Sequence, residues 1–129
     1  MTDFDGVAFL GAADLLLGAV SRVPTAISDE NQALVRSSIS RSYYAAYLVA
    51  RARLTLLGDV QPTRRYRDHA LVGSGLAGRS PGLGDELERL RRKRNQADYN
   101  LNPSGMTLTA GRYWRDRARQ LIDEVKTLQ

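Results

Sequence analysis

Apolar residues recur at steps of three and four along nearly the whole chain, and prolines at 24, 62, 81 and 103 divide the pattern. The first segment, about 3–20, sets Phe4, Ala8, Gly11 and Leu15 on one face and Phe9, Ala13, Leu16 and Val20 on another, predicting a helix packed on more than one side. The second, about 28–57, starts at Ser28, a good N-cap, with Asp29 and Glu30 suited to the first turn. Its stripe is Ile39, Tyr43, Ala46, Ala50, Leu54 and Leu57, and Gly58 is a natural stop. A short helix is expected over about 63–77, a loop at "GRSPGLG" (78–84), a helix over about 83–99 and a last one over about 107–128. That last helix carries Trp114, Ala118, Leu121, Val125 and Leu128 on one stripe. No stretch alternates as a strand would, and no hairpin turn or internal repeat is evident. The expected fold is all-α: one domain over 1–129, an up-and-down bundle of four long helices and one short one.

A chain of 129 residues can bury one hydrophobic core. It has no cysteine, which excludes disulfides and thiolate metal sites, and its single histidine argues against a histidine-rich metal centre. No cofactor or metal is expected. The longest apolar stretch, "VAFLGAADLLLGAV", is broken by Asp14 and is too short for a bilayer span. It also lacks the basic leader of a signal peptide, so a soluble, cytoplasmic protein without membrane partners is expected.

The net charge of +5 is unevenly placed: residues 1–35 sum to −4, 36–63 to +3, 64–94 to +5 and 95–129 to +1. A basic stretch is commonly a solvated face, but it is also the electrostatic footprint of a nucleic-acid binder. Nearly all the cations are arginines, whose planar fork suits phosphate. "GSGLAG" (73–78) spells G-x-G-x-x-G, yet it closes a helical segment instead of following a strand, which argues against a dinucleotide fingerprint.

The sharpest feature is "RRKRNQADYN" (91–100). Its helix carries Leu83, Leu87, Leu90, Ala97 and Leu101, and Arg94 fills the gap in that series. Arginine is rarely buried without a partner. Asp98, four residues on, can hold the guanidinium, and Asn95 and Tyr99 form a second row. The plain reading is a helical ion pair with Tyr99 closing the bundle. The functional one is a phosphate site, with Arg94 holding the phosphate, Asn95 orienting it, and Tyr99 or a second copy of Arg94 stabilising developing charge.

"RSSISRSYYAAYLVARARL" (36–54), "RDHALVGSGLAG" (67–78) and "LERLRRKRNQADYN" (87–100) together resemble the HEPN domain, in particular its small stand-alone prokaryotic branch with an RNxADY-type motif. The resemblance covers about residues 5–125, and pairing "SRSYYAAY" with "RNxADY" is more specific than either alone. It implies a helical bundle that dimerises. Many members are metal-independent ribonucleases of toxin–antitoxin or defence systems, while others bind nucleotides or partner proteins without catalysis. The family's catalytic motif is Arg, a polar residue, an intervening stretch and His, with two copies meeting at the dimer interface. Arg94 matches the arginine and Asn95 the polar residue, but Tyr99 stands at the histidine position. A phenol, with an ordinary pKa of about 10, is a poor base at neutral pH. Cleavage by the 2′-OH needs a proton acceptor and a donor.

The resemblance thus implies a catalytic set of Arg94, Asn95, Asp98 and Tyr99, with Arg41 and Tyr44 lining the same cleft as RNA- or phosphate-binding groups; Arg64, Arg65, Arg91 and Arg92 read from their charge as further phosphate-binding groups. His69 is an accessory contact or, on its own residues, a satisfied surface histidine; Tyr43, Tyr113 and Trp114 read as packing. Partners would be RNA or a nucleotide, a second copy of the chain, and an antitoxin or nucleotidyltransferase-like protein. Some members are silenced by nucleotide modification of a tyrosine near the motif, which makes Tyr99 a candidate modification site. The other class of function is a non-catalytic module that uses the same cleft to hold a nucleotide or a protein.

Overall fold

The computed structural model describes residues 5–20, 28–63, 67–100, 102 and 105–129. Five helices form an all-α bundle: α1 (Val7–Val20), α2 (Asp29–Leu56), α3 (Asp68–Arg79), α4 (Pro81–Tyr99) and α5 (Leu108–Val125). Among the described residues there is no strand. The long α2 is the hub and packs against each of the other four helices.

Local chemistry sets the boundaries. The Ser28 hydroxyl accepts from the Asn31 amide at 3.1 Å and opens α2. Gly58, at φ 81°, ends that helix in the left-handed region. Of the expected α2 stripe, Ile39, Tyr43, Ala46, Ala50 and Leu54 are buried, while Leu57, the C-cap, is half-buried. Tyr43, Ala46, Ala50 and Leu54 meet Val72 and Leu76 of α3, Leu83, Leu87 and Leu90 of α4, and Ala118, Leu121 and Val125 of α5 in one core, while Ile39 packs in a second with Val20, Val35, Ala97 and Met106.

Two expectations need correction. The first concerns α1, whose buried stripe is Leu10, Ala13, Leu17 and Val20. The face expected to carry Ala8, Gly11 and Leu15 lies outward, with Leu15 78 % exposed. Phe4 lies outside the described residues. An almost uniformly apolar helix gives little contrast with which to fix its rotation. The second concerns residues 78–84, which are not a loop. α3 runs to Arg79 and α4 starts at Pro81, with Ser80 between them accepting from the Leu83 amide at 3.3 Å. Proline at the first helical turn loses no hydrogen bond, so this sequence starts a helix. "GSGLAG" accordingly lies inside α3. The tight join depends on Gly84, where a Cβ would sit 2.6 Å from that of Ala77.

Candidate functional site

Each step along α4 buries a leucine until Arg94. Leu83, Leu87, Leu90 and Ala97 are buried, and the Arg94 side chain takes the fourth of the five places on that face at 18 % exposure; Leu101 lies outside the described residues. A guanidinium so placed must be paired. Its Nη2 donates to the Tyr44 hydroxyl of α2 at 2.9 Å. Its Nη1 donates to Asn95 Oδ1 at 3.1 Å. Asp98 Oδ2 lies 2.8 Å from its Nε, a close ion pair that leaves the Nε hydrogen without an aligned acceptor. The Ser40 hydroxyl of α2 donates to the same carboxylate oxygen at 3.4 Å. The Arg94 guanidinium also lies over two phenol rings, 5.2 Å from the centroid of Tyr44 and 5.7 Å from that of Tyr99. Tyr99 itself is 72 % exposed, so the cluster opens to the surface instead of plugging the bundle.

A second group adjoins the first through Tyr44. His69, on the first turn of α3, stacks on Tyr47 with ring centroids 4.2 Å apart and meets Tyr44 edge-on at 6.1 Å. Its Nδ1 is 2.5 Å from the hydroxyl of Tyr43. Asp68 fixes the start of α3: it is 1 % exposed and accepts from the Thr63 amide at 3.0 Å and 3.1 Å and from the Thr63 hydroxyl at 2.5 Å. Burial holds the His69 imidazole below its ordinary 6.5, and the charges of Arg91 and Arg94 press it down further. Burial also pushes the Tyr43 phenol well above the ordinary tyrosine range, against the pull of Arg91. Both groups therefore stay neutral at neutral pH.

Between α3 and α4 runs a groove of about 330 Å³ whose lining includes His69, Arg91, Asp85 and Glu88. Arg89 and Arg92 of α4 are tied to Glu86 and Glu88, at 3.2 Å and 3.3 Å. No carboxylate among the described residues is within ion-pair reach of Arg91.

The structure thus gathers Arg94, Asn95, Asp98, Tyr99 and Tyr44 into one cluster, with His69 and Arg91 beside it. Arg41 stands off to one side, its guanidinium 5.6 Å from the Phe9 ring, which in turn is 6.3 Å from Tyr44. The Arg92 side chain, 73 % exposed, is not part of the cluster. Arg64 and Arg65 lie outside the described residues. Three contributors were not read from the sequence as site residues: Ser40, Tyr47 and, through its hydroxyl, Tyr43. Arg36 is a fourth. Its guanidinium donates to the carbonyls of Gln96 at 3.3 Å, Ala97 at 2.9 Å, Asn100 at 2.5 Å and Asn102 at 3.0 Å. It thereby closes the end of α4 that carries Asp98 and Tyr99. The spacing of "RSSIS" gives no sign of this role, because the contact spans about sixty residues of sequence.

Among the described residues no group of three or more His, Cys, Asp or Glu is placed to hold a metal ion, and no helix is long and apolar enough to cross a membrane. No protein-family model, curated protein or solved structure matches this chain.

Proposed function

We propose that this chain is an RNA-acting protein of the HEPN type, a metal-independent ribonuclease of a toxin–antitoxin or defence system whose site is completed where two copies meet. The observation that carries the reading is the held guanidinium of Arg94. Tyr44, Asn95 and Asp98 fix it at a surface-open cluster on the basic part of the chain. A fixed planar donor of this kind is what a phosphodiester needs as negative charge builds on its oxygens. Asn95 and Tyr99 supply an amide and a phenol beside it. A second copy of Arg94 would raise the positive potential at the shared cleft.

One observation favours a second reading, a non-catalytic module holding a nucleotide or partner protein: Tyr99 stands where a proton-accepting histidine would act, and Asp98 already neutralises Arg94 in the free chain. An RNA-cleavage time course in EDTA, comparing the native protein with Arg94→Ala, separates the two. The ribonuclease reading expects cleavage that falls about 100-fold or more in the variant, the loss typical of removing one charge-stabilising donor. No cleavage by either protein, with both folded, returns the cleft to the binding-module reading.

A further inference from the structure

The Tyr43 side chain is 1 % exposed, so its hydroxyl hydrogen needs an acceptor inside the protein. His69 Nδ1, at 2.5 Å, is its one hydrogen-bond partner among the described residues. The phenol therefore donates, Nδ1 accepts, and the imidazole proton sits on Nε2. No described residue engages Nε2. The histidine lines the α3–α4 groove, and so does Arg91, a cation with no carboxylate in ion-pair reach among the described residues. A neutral N–H donor and a guanidinium outside any ion pair among the described residues thus line one cavity. The other charged lining groups are Asp85 and Glu88, and Glu88 is already paired with Arg92.

We propose that His69 and Arg91 form an anion subsite, in which a phosphate group accepts from the His69 Nε2–H and from the Arg91 guanidinium, next to the phosphate contact made by Arg94. The phosphate is that of the RNA strand, so the inference rests on the RNA reading of the cleft; a free nucleotide offers the same chemistry. Tyr43 is the positioning residue that sets the tautomer. His69 is on this account a donor and not the proton acceptor of cleavage. The groups that face the imidazole are Tyr43, Tyr44, Tyr47 and Arg51 from α2, Arg91 and Arg94 from α4, and Asp68 beside it.

The chain has one histidine, so nitrogen-15 imidazole NMR reports on His69 without assignment ambiguity. The full chain is examined at pH 7.5 alone, then with a short 2′-O-methyl RNA, which cannot be cleaved, and separately with adenosine monophosphate. The expected results are a proton on Nε2 in the free protein, a shift of that signal on adding RNA, and RNA affinity roughly tenfold weaker in Arg91→Ala and in His69→Gln, as for loss of one charge-assisted or anion-directed hydrogen bond. Tyr43→Phe is expected to mix the two tautomers. A proton on Nδ1 in the native protein overturns the donor assignment. RNA binding that depends on Arg94 but leaves the His69 signal unmoved overturns the subsite alone. A signal moved by the mononucleotide and not by RNA keeps the subsite and overturns its RNA occupant. A signal moved by neither overturns the subsite, and undetectable RNA binding removes the RNA reading with it.

Discussion

Arg94 of α4 and Tyr44 of α2 are joined by a 2.9 Å hydrogen bond, and the tyrosine ring also lies under the guanidinium, 5.2 Å from its centroid. One residue thus touches the arginine twice, through its hydroxyl and through its ring, alongside the contacts from Asn95 and Asp98. Tyr44→Phe keeps the ring and deletes the donor's target. The expected cost is about 1 kcal/mol of stability, the usual net worth of one hydrogen bond. On the ribonuclease reading, RNA cleavage is expected to fall further than that loss explains, because the guanidinium then keeps only its contacts to Asn95 and Asp98. Urea unfolding alongside the EDTA cleavage assay checks both; full activity in Tyr44→Phe would show that the bond plays no part in positioning.

Arg36→Gln should act at a distance. It removes the donor to four carbonyls at the end of α4, so about 1.5–3 kcal/mol of stability is expected to go, as for a lost charged hydrogen bond. Arg36→Lys should recover little, since one ammonium cannot span that set. A thermal melt that is unchanged in either variant would contradict the capping role.

His69 gives stability a pH dependence of known sign. Its pKa in the folded chain lies below the ordinary 6.5, through burial first and then Arg91 and Arg94. The unfolded chain therefore takes up the proton more readily. The contribution to stability is fully present above about pH 6.5 and is lost as pH falls from there through the folded value. Urea midpoints of native protein and His69→Gln, compared at pH 8 and pH 5, test this. The native protein should lose more than the variant on acidification; parallel losses would refute it.

Gly84→Ala ought to destabilise, although alanine is the better helix former by about 1 kcal/mol. The added Cβ meets Ala77, 2.6 Å from its Cβ and 2.7 Å from its Cα. Overpacking of this kind costs about 1–3 kcal/mol. The double variant with Ala77→Gly is expected to regain part of the loss. Calorimetry of the two variants decides, and a higher melting temperature in Gly84→Ala would rule the close contact out.

What could be read from the chain beforehand depended on contrast along a single helix. The series from Leu83 to Ala97 pointed to Arg94 as out of place, and the four-residue spacing named Asp98 as its partner, as the 2.8 Å pair bears out. The resemblance sets Tyr44 beside the motif helix, and the structure gives it a hydrogen bond to Arg94. The phase of α1 was not legible, because nearly every position is apolar and Leu15 looks no different from Leu17. Residues 78–84 misled because proline and glycine mark both loops and helix starts. Tyr43 reads as core, and its ring is core; only the neighbouring helix reveals what its hydroxyl holds. His69, Ser40 and Arg36 act across helix pairs, and no local periodicity carries information about such partners.

The four carbonyls gathered by Arg36 have a bearing on motion as well. Helix ends ordinarily fray by themselves, turn by turn, and exchange their amide hydrogens early. Here the closing turn of α4 is tied to the first third of α2, the hub of the bundle. To release Asp98 and Tyr99 the chain must give up a cross-helix clamp, so the rim of the cleft opens as one cooperative unit with its neighbour and arrives at a ligand already shaped.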